Sequence, residues 1–308
     1  MKYTVATYLA GIPASNKNPE KPRSLINFAK GVNAAGDLGI VNDKQQLIPA
    51  NVAVIQGYVH EDSKNAPHLN FRKQVLDHQN RFNNRTIIID SNLFLYKDPG
   101  NSRGYLRYSY DGIFPSTGEY CNNAPDPQRW EKIKKDLNID LQPWRKDGRH
   151  ILICLQRKGG WSMRGLDVID FFYQIVSDIR KYSDRPILVR THPGDKKSIT
   201  YSKLINGKNI TLSTNNSLVD DLRNAWSTVV YNSSPSVASI IEGVPAFVID
   251  PIHSQSIEVC NTALAQIETP LMPERLDWIR KLAQCHWNDH DLLSGDAWKH
   301  MRQWALRQ

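Results

Sequence analysis

Three short polar segments carry most of the chemistry this chain could do. They are Gln156-Arg157-Lys158-Gly159-Gly160, Arg190-Thr191-His192-Pro193 and Asn232-Ser233-Ser234-Pro235-Ser236. Each follows an apolar run, at Ile151–Leu155, Pro186–Val189 and Thr228–Tyr231. Glycine lets a backbone approach an anion closely. Arginine pairs bidentately with phosphate, and a protonated His192 beside Arg190 would stabilise a departing diphosphate. The amide and hydroxyls of Asn232, Ser233, Ser234 and Ser236 can donate to phosphate oxygens or cap the helix that follows. Glu242, at the end of that helix, could hold a ribose hydroxyl pair. The chemistry is that of gripping a nucleoside diphosphate or sugar nucleotide, with glycosyl transfer as the reaction it suits. The first segment lacks the Gly-Lys-Ser/Thr ending of a P-loop and the GxGxxG spacing of nicotinamide sites.

Transfer to a hydroxyl needs a base for the acceptor proton. The candidates are Asp111, Asp90 and His60. Asp111 is favoured because it closes Arg107-Tyr108-Ser109-Tyr110-Asp111-Gly112, where Arg107, Tyr108 and Tyr110 suit stacking and holding a base or sugar ring. An Asx turn is the competing reading for each carboxylate. Asp220 and Asp221 sit in the first turn of a helix and compensate its dipole. Asp289-His290-Asp291 has metal-binding spacing but falls in a helical tail, where it reads as a solvated face. No His, Cys and carboxylate set has zinc spacing, so no metal is expected, and the only small molecule required is the nucleotide-sugar co-substrate.

These residues need elements to place them. In the first half, Tyr3–Leu9, Asn51–Val59 and Arg85–Asp90 read as strands, the last through the β-branched run Ile87-Ile88-Ile89. Ser24–Ala34, with Ser24 as N-cap, Leu69–Phe82 and Trp130–Leu137 read as helices. Asp98–Phe114 reads as an irregular functional loop. Gln142–His150 reads as a linker with a hinge near Trp144. Beyond it, strands at Ile151–Leu155, Pro186–Val189, Thr228–Tyr231 and Ala246–Ile249 alternate with helices at Leu166–Tyr182, Leu218–Ala225 and Val237–Glu242. Pro273–Trp287 and Ser294–Leu306 are closing helices rich in tryptophan. Such alternation implies parallel sheets with right-handed crossovers. In open sheets of that kind, ligands bind along the edge where the strands end. The expected domains are 1–147 on the acceptor side, 148–290 on the donor side and a C-terminal helix, 291–308, packing across them.

With 308 residues the chain can hold two such domains. Its composition, 40% hydrophobic and 23% charged, is that of a globular protein, without an apolar run long enough for a bilayer. The N-terminus is too polar for a signal peptide. The four cysteines lie far apart, so reduced thiols and a cytoplasmic location are expected, in the host if the chain is phage-encoded. A net charge of +8 favours polyanionic partners.

The second half resembles glycosyltransferases of the two-lobed GT-B type, particularly the capsule-polysaccharide and Kdo-transferase-like group. The resemblance lies in Arg190-Thr191-His192-Pro193, in Ser233-Ser234 with Glu242-Gly243-Val244-Pro245, and in the tail Leu282–Trp287 with Ser294–Trp298. The His-Pro and Ser-Ser pairs are also similar to those of bacterial sialyltransferases, which implies donor-phosphate binding and a base before a glycine, loosely matched by Asp111-Gly112. The whole chain, including Ile153–Met163, resembles glycosyltransferases of tailed phages, some associated with glucosylating or arabinosylating 5-hydroxymethylcytosine. The resemblance implies an α/β, GT-B-like fold of two Rossmann-like lobes with parallel sheets facing across a cleft. It implies metal-independent transfer from a UDP-sugar to a hydroxyl of double-stranded DNA, the base flipping out to react. Two alternatives stay open. One is a surface-polysaccharide transferase, with Trp278, Trp287, Trp298 and Trp304 facing a membrane surface but no stable insertion. The other is a non-catalytic nucleic-acid-binding protein.

Overall fold

The computed structural model describes residues 1–10, 20–60, 67–100 and 103–307. In chain order the first elements are β1 (Thr4–Tyr8), α1 (Glu20–Ala34), β2 (Leu38–Asn42), β3 (Val52–Gln56), α2 (Pro67–Arg81), β4 (Arg85–Asp90), β5 (Leu106–Tyr110) and α3 (Pro127–Leu137). There follow β6 (His150–Cys154), α4 (Val168–Arg180), β7 (Ile187–Arg190), α5 (Ser198–Tyr201), β8 (Ile210–Leu212), α6 (Leu218–Leu222), β9 (Ala225–Val230), α7 (Pro235–Ile241) and β10 (Ala246–Val248). The chain closes with α8 (Leu276–Gln284), β11 (His286–Trp287), α9 (Asp289–Leu293) and α10 (Asp296–Met301). By compactness it divides into two α/β units. One comprises Met1–Asn92, Asn101–Lys132 and Arg280–Gln308; the other comprises Leu93–Gly100 and Ile133–Ile279.

The sheet of the first unit has the order β11-β5-β4-β3-β1-β2. β2, β1, β3 and β4 run parallel, while β5 is antiparallel to β4 with Ile88 opposite Ser109. The expected loop at Asp98–Phe114 is therefore partly a strand. Arg107 and Ser109 hide it from a hydrophobicity reading, yet both are buried. β4 matches its expected span because Ile87, Ile88 and Ile89 are all buried, each contributing about 1.5–3 kcal/mol through burial. The C-terminal residues 280–308 return to this unit. Asp37 receives the N–H of Tyr3 (2.9 Å), Nε1 of Trp298 (2.8 Å) and Nε of Arg302 (2.6 Å). Its burial works against ionisation, but those bonds outweigh it and hold the carboxyl below its usual range. α1 and α9 approach so closely that a Cβ on Gly31 would lie 1.7 Å from the Leu292 carbonyl oxygen.

In the second unit the sheet is wholly parallel, in the order β10-β9-β6-β7-β8. α4 covers one face with Phe172, Ile175 and Ile179, against Ile151, Ile153 and Val189. The expected linker belongs to this unit. Gln142 N–H donates to Ile241 O (2.8 Å), Arg145 N–H to Gly243 O (2.7 Å) and Trp144 Nε1 to Pro273 O (2.9 Å). The Arg275 guanidinium stacks 4.0 Å from the Trp144 ring centroid. The tryptophans expected at a membrane surface belong to the core instead: Trp278, Trp287 and Trp298 are buried, and Trp304 is half-buried against the core of the first unit. No described helix is long and apolar enough to cross a membrane. All four cysteines are free thiols.

Candidate functional site

Because β9, β6 and β7 are adjacent and parallel, the segments that follow them emerge side by side on one edge of the second unit's sheet. Neighbouring strands lie about 4.8 Å apart, so the outer two of the three tips stand about 10 Å apart, close enough for their side chains to flank one diphosphate. Gln156 follows β6 and is buried. Its Nε2 donates to Asn232 Oδ1 (2.8 Å) and to Ser162 Oγ (3.0 Å). Asn232 Nδ2 donates in turn to Asp250 Oδ2 (3.0 Å), just past β10. The Asp250 carboxylate holds His253 Nδ1 at 2.9 Å, and Arg164 Nη1 lies 3.3 Å from that ring nitrogen. This chain locks the tips of β6, β9 and β10 together. Asp250 and His253 were missed from the sequence. Their signal was an apolar strand ending at Asp250, three residues before a histidine.

Two polar atoms at these tips remain unmet. Gln156 Oε1 and Ser233 Oγ are buried and have no hydrogen-bond partner among the described residues. Buried polar groups almost always find partners, so both atoms suit contact with a bound molecule. Ser234 begins α7 without using its side chain as a cap.

On the β7 side, His192 Nδ1 accepts from the Gly194 N–H (2.9 Å). The proton of the neutral ring therefore sits on Nε2, which is the atom left to donate. A Cβ on Gly194 would lie 2.7 Å from Arg157 Nη2 and 3.2 Å from His192 Cε1. The bare glycine thus leaves room for both side chains close to its backbone. Burial first, and the Arg157 charge second, push the His192 pKa below its usual value. Arg157 is exposed and has no carboxylate partner among the described residues. The nearby Asp195 is already committed to Tyr201 OH (2.6 Å) and to the N–H groups of Lys158 (3.0 Å) and Lys197 (2.9 Å). Despite burial, those bonds hold its carboxyl below the usual range. Gly159 has a positive φ of 69°, and a Cβ there would lie 4.0 Å from Lys197 Nζ. Gly160 precedes a short helical turn at Trp161–Met163. Lys158 Nζ lies 3.6 Å from Asp167.

Several expected site residues serve the framework instead. Arg190 Nη1 pairs with the fully buried Asp221 (2.7 Å), and its guanidinium also donates to the carbonyls of Asn215, Asn216 and Ser217. Asp221 is thus the anchor of Arg190, beyond any compensation of a helix dipole. The N-terminus of α4 is filled by its own cap, Asp167, whose carboxylate accepts from Ile169 N–H (2.7 Å), so it offers no anion site. Ser236 is buried, and its hydroxyl donates to Ser233 O (2.9 Å). Glu242 closes α7, which runs back toward the opposite edge of the sheet. Its carboxylate accepts from Tyr96 OH (2.7 Å) and pairs with Lys97 (3.1 Å). It is therefore not among the tip residues where a ribose would accompany the diphosphate.

In the first unit, Asp111 lies where the antiparallel β5 ends, level with the start of β4 and away from the parallel strand ends. Its carboxylate accepts from Arg85 Nε (2.9 Å) and Thr86 N–H (2.9 Å), which fixes a turn at φ +61°. Tyr108 and Tyr110 are core: Tyr108 stacks on Phe28 at 5.9 Å, and Tyr110 OH donates to Met301 O (3.1 Å). Neither ring can stack on an acceptor. Arg107 is buried and pairs with Asp90 at 2.5 Å. Asp90 and His60 do lie at or just beyond the parallel strand ends, after β4 and β3. Asp291 is not solvated: it is buried between Arg129 (3.0 Å) and Lys132 (2.6 Å).

No protein-family profile and no curated protein sequence matches this chain. Among solved structures it is similar to the β-Kdo 2,4 transferase of Thermosulfurimonas dismutans KpsC. That pair shares 11% identity at a TM-score of 0.57, over 90% of this chain and 89% of the other. It is also similar to the β-Kdo 2,7 transferase of the same KpsC, with 13% identity, a TM-score of 0.52 and coverage of 96% and 99%. At such identities the likeness is one of fold, and the fold is glycosyltransferase-like.

Proposed function

We propose that this protein transfers a sugar from a nucleotide-diphosphate donor, a UDP-arabinose or UDP-glucose in type, to a hydroxyl of 5-hydroxymethylcytosine in double-stranded DNA. The observation that carries the transferase reading is the placement of Arg157 and His192: two basic side chains both close to the bare Gly194, with the Arg157 charge felt at His192, at the strand ends that also hold the unmet Ser233 Oγ. Such a pair is relieved by an anion. In the reaction the acceptor oxygen attacks the anomeric carbon and the bond to the diphosphate oxygen breaks. The electron pair leaves on the diphosphate, which Arg157 and the Nε2 proton of His192 stabilise. The acceptor proton needs a general base, and Asp90, at the end of β4, is the candidate that substitution tests. The net charge of +8 supports a polyanionic acceptor. A second reading, transfer to a surface polysaccharide, is favoured by the fold shared with the two Kdo transferases.

Mass spectrometry of nucleosides from hydroxymethylated duplex DNA, incubated with the protein and UDP-sugars, tests the reading. A sugar adduct confined to hydroxymethylated DNA is expected, reduced by about 10²-fold or more in Asp90→Asn. No adduct with any donor removes the DNA acceptor. An undiminished Asp90→Asn removes the assigned base.

A further inference from the structure

Arg72 lies on α2 in the first unit, half-buried. Burial pushes its pKa below the usual arginine value, and no carboxylate among the described residues offsets that burial. Its neighbours in this unit behave otherwise: Arg85 holds Asp111, Arg107 holds Asp90 and Arg129 holds Asp291. A buried cation without a counter-charge is costly.

The guanidinium reaches toward the strand-end edge. Its Nη1 lies 3.1 Å from where a Cβ on Gly57 would stand. Gly57 directly follows β3 and turns the chain at φ +87°. A side chain there would be strained and would press on Arg72. Gln56 pairs with Ile89 across β3 and β4, so Gly57 is level with Asp90 on the adjacent strand. Gln56 Nε2 donates to Ile89 O (3.2 Å), which leaves its Oε1 buried and without a partner among the described residues. One strand end thus presents a cation without an ion pair among the described residues, an unmet acceptor atom and a bare backbone.

We propose that Arg72, approached over Gly57, is an oxyanion subsite for the acceptor, which therefore carries a carboxylate or phosphodiester near the hydroxyl that is glycosylated. The inference rests on the transferase reading and deepens it. Gln56 Oε1 accepts from a hydroxyl of the same ligand, and the planar guanidinium takes the oxyanion in a bidentate pair. The two sources of such a group are a nucleic-acid backbone and an acidic sugar.

The test titrates the full chain with dimethyl phosphate, methyl glucuronide and the neutral methyl glucoside. Binding is read from the Arg72 Nε–H resonance, identified by its loss in Arg72→Met, and from the dissociation constants. The acidic probe that fits moves this resonance and binds at least about tenfold more weakly to Arg72→Met. Arg72→Lys keeps part of the affinity, and the glucoside leaves the resonance in place. Response to dimethyl phosphate identifies the nucleic-acid source; response to the glucuronide identifies the acidic sugar. If neither acid binds, or both bind a normally melting Arg72→Met as well as the parent, the subsite is wrong. A parallel thermal shift with UDP-sugars reads the second unit. Loss of that shift with Arg72 binding intact overturns the transferase reading alone, and the converse overturns the subsite alone.

Discussion

Replacing Arg157 by methionine keeps the length of the side chain and removes its charge. The guanidinium lies over Gly194, where a Cβ would be 2.7 Å from Nη2, and its charge is felt at His192. A charge-assisted contact to phosphate is worth about 1.5–3 kcal/mol. Arg157 is exposed, so solvent screening takes that to about 1–2 kcal/mol, a loss of roughly 5- to 30-fold in affinity for UDP. The substitution has a second consequence. Arg157 is the second cause, after burial, of the lowered His192 pKa. An anion favours the imidazolium, so UDP binding to the parent strengthens as pH falls toward a His192 pKa lying below 6.5. In Arg157→Met that pKa rises, and the strengthening begins at a higher pH. Isothermal titration with UDP at several pH values between 6 and 8 reads both effects. Equal affinity and an unmoved pH profile in Arg157→Met would refute the placement of the diphosphate.

Three further outcomes follow from the same geometry. His286 is fully buried, and its pKa is pushed down to about 3, by burial first and by Arg107 and Arg129 thereafter. The unfolded chain therefore binds the proton more readily, so the stability is complete above the unfolded pKa and drains as pH falls below it, by about 2 kcal/mol at pH 5. Urea unfolding at pH 7.5 and 5 should show that loss shrinking by a similar amount in His286→Asn, and an unchanged loss contradicts the assignment. Gly31→Ala drives a Cβ to 1.7 Å from Leu292 O and should destabilise by about 1–3 kcal/mol despite the better helix propensity of alanine, seen as a lower melting midpoint. Arg190→Met strands the buried Asp221 and should cost about 3–5 kcal/mol of stability. A well-folded Arg190→Met with only its nucleotide affinity reduced would return Arg190 to the phosphate site.

What the sequence disclosed, and what it hid, divides along the distance between partners. The strand tips at Gln156, His192 and Asn232 were legible because each ends a β-branched run, and a parallel sheet brings such ends together. The pairing of Arg190 with Asp221 was not, since it depends on where α6 sets a carboxylate 31 residues later. Asp111 looked like a base in an aromatic loop. The antiparallel direction of β5, which no local pattern records, carries it to the other edge. Arg107, Tyr108 and Tyr110 had the chemistry of a binding surface, but Trp298 and Met301, from the far end of the chain, complete a core around the two tyrosines. The same long-range return explains Asp291, whose partners Arg129 and Lys132 lie about 160 residues earlier. Arg72 was passed over because an unpaired arginine has no sequence signature; only its burial beside Gly57 reveals it.

A crystal structure with UDP bound bears most directly on the whole account. The expected position places the terminal phosphate within hydrogen-bonding reach of the Arg157 guanidinium, His192 Nε2 and Ser233 Oγ, at the ends of β6, β7 and β9. A nucleotide seated on any other surface, with those three groups left uncontacted, would contradict it.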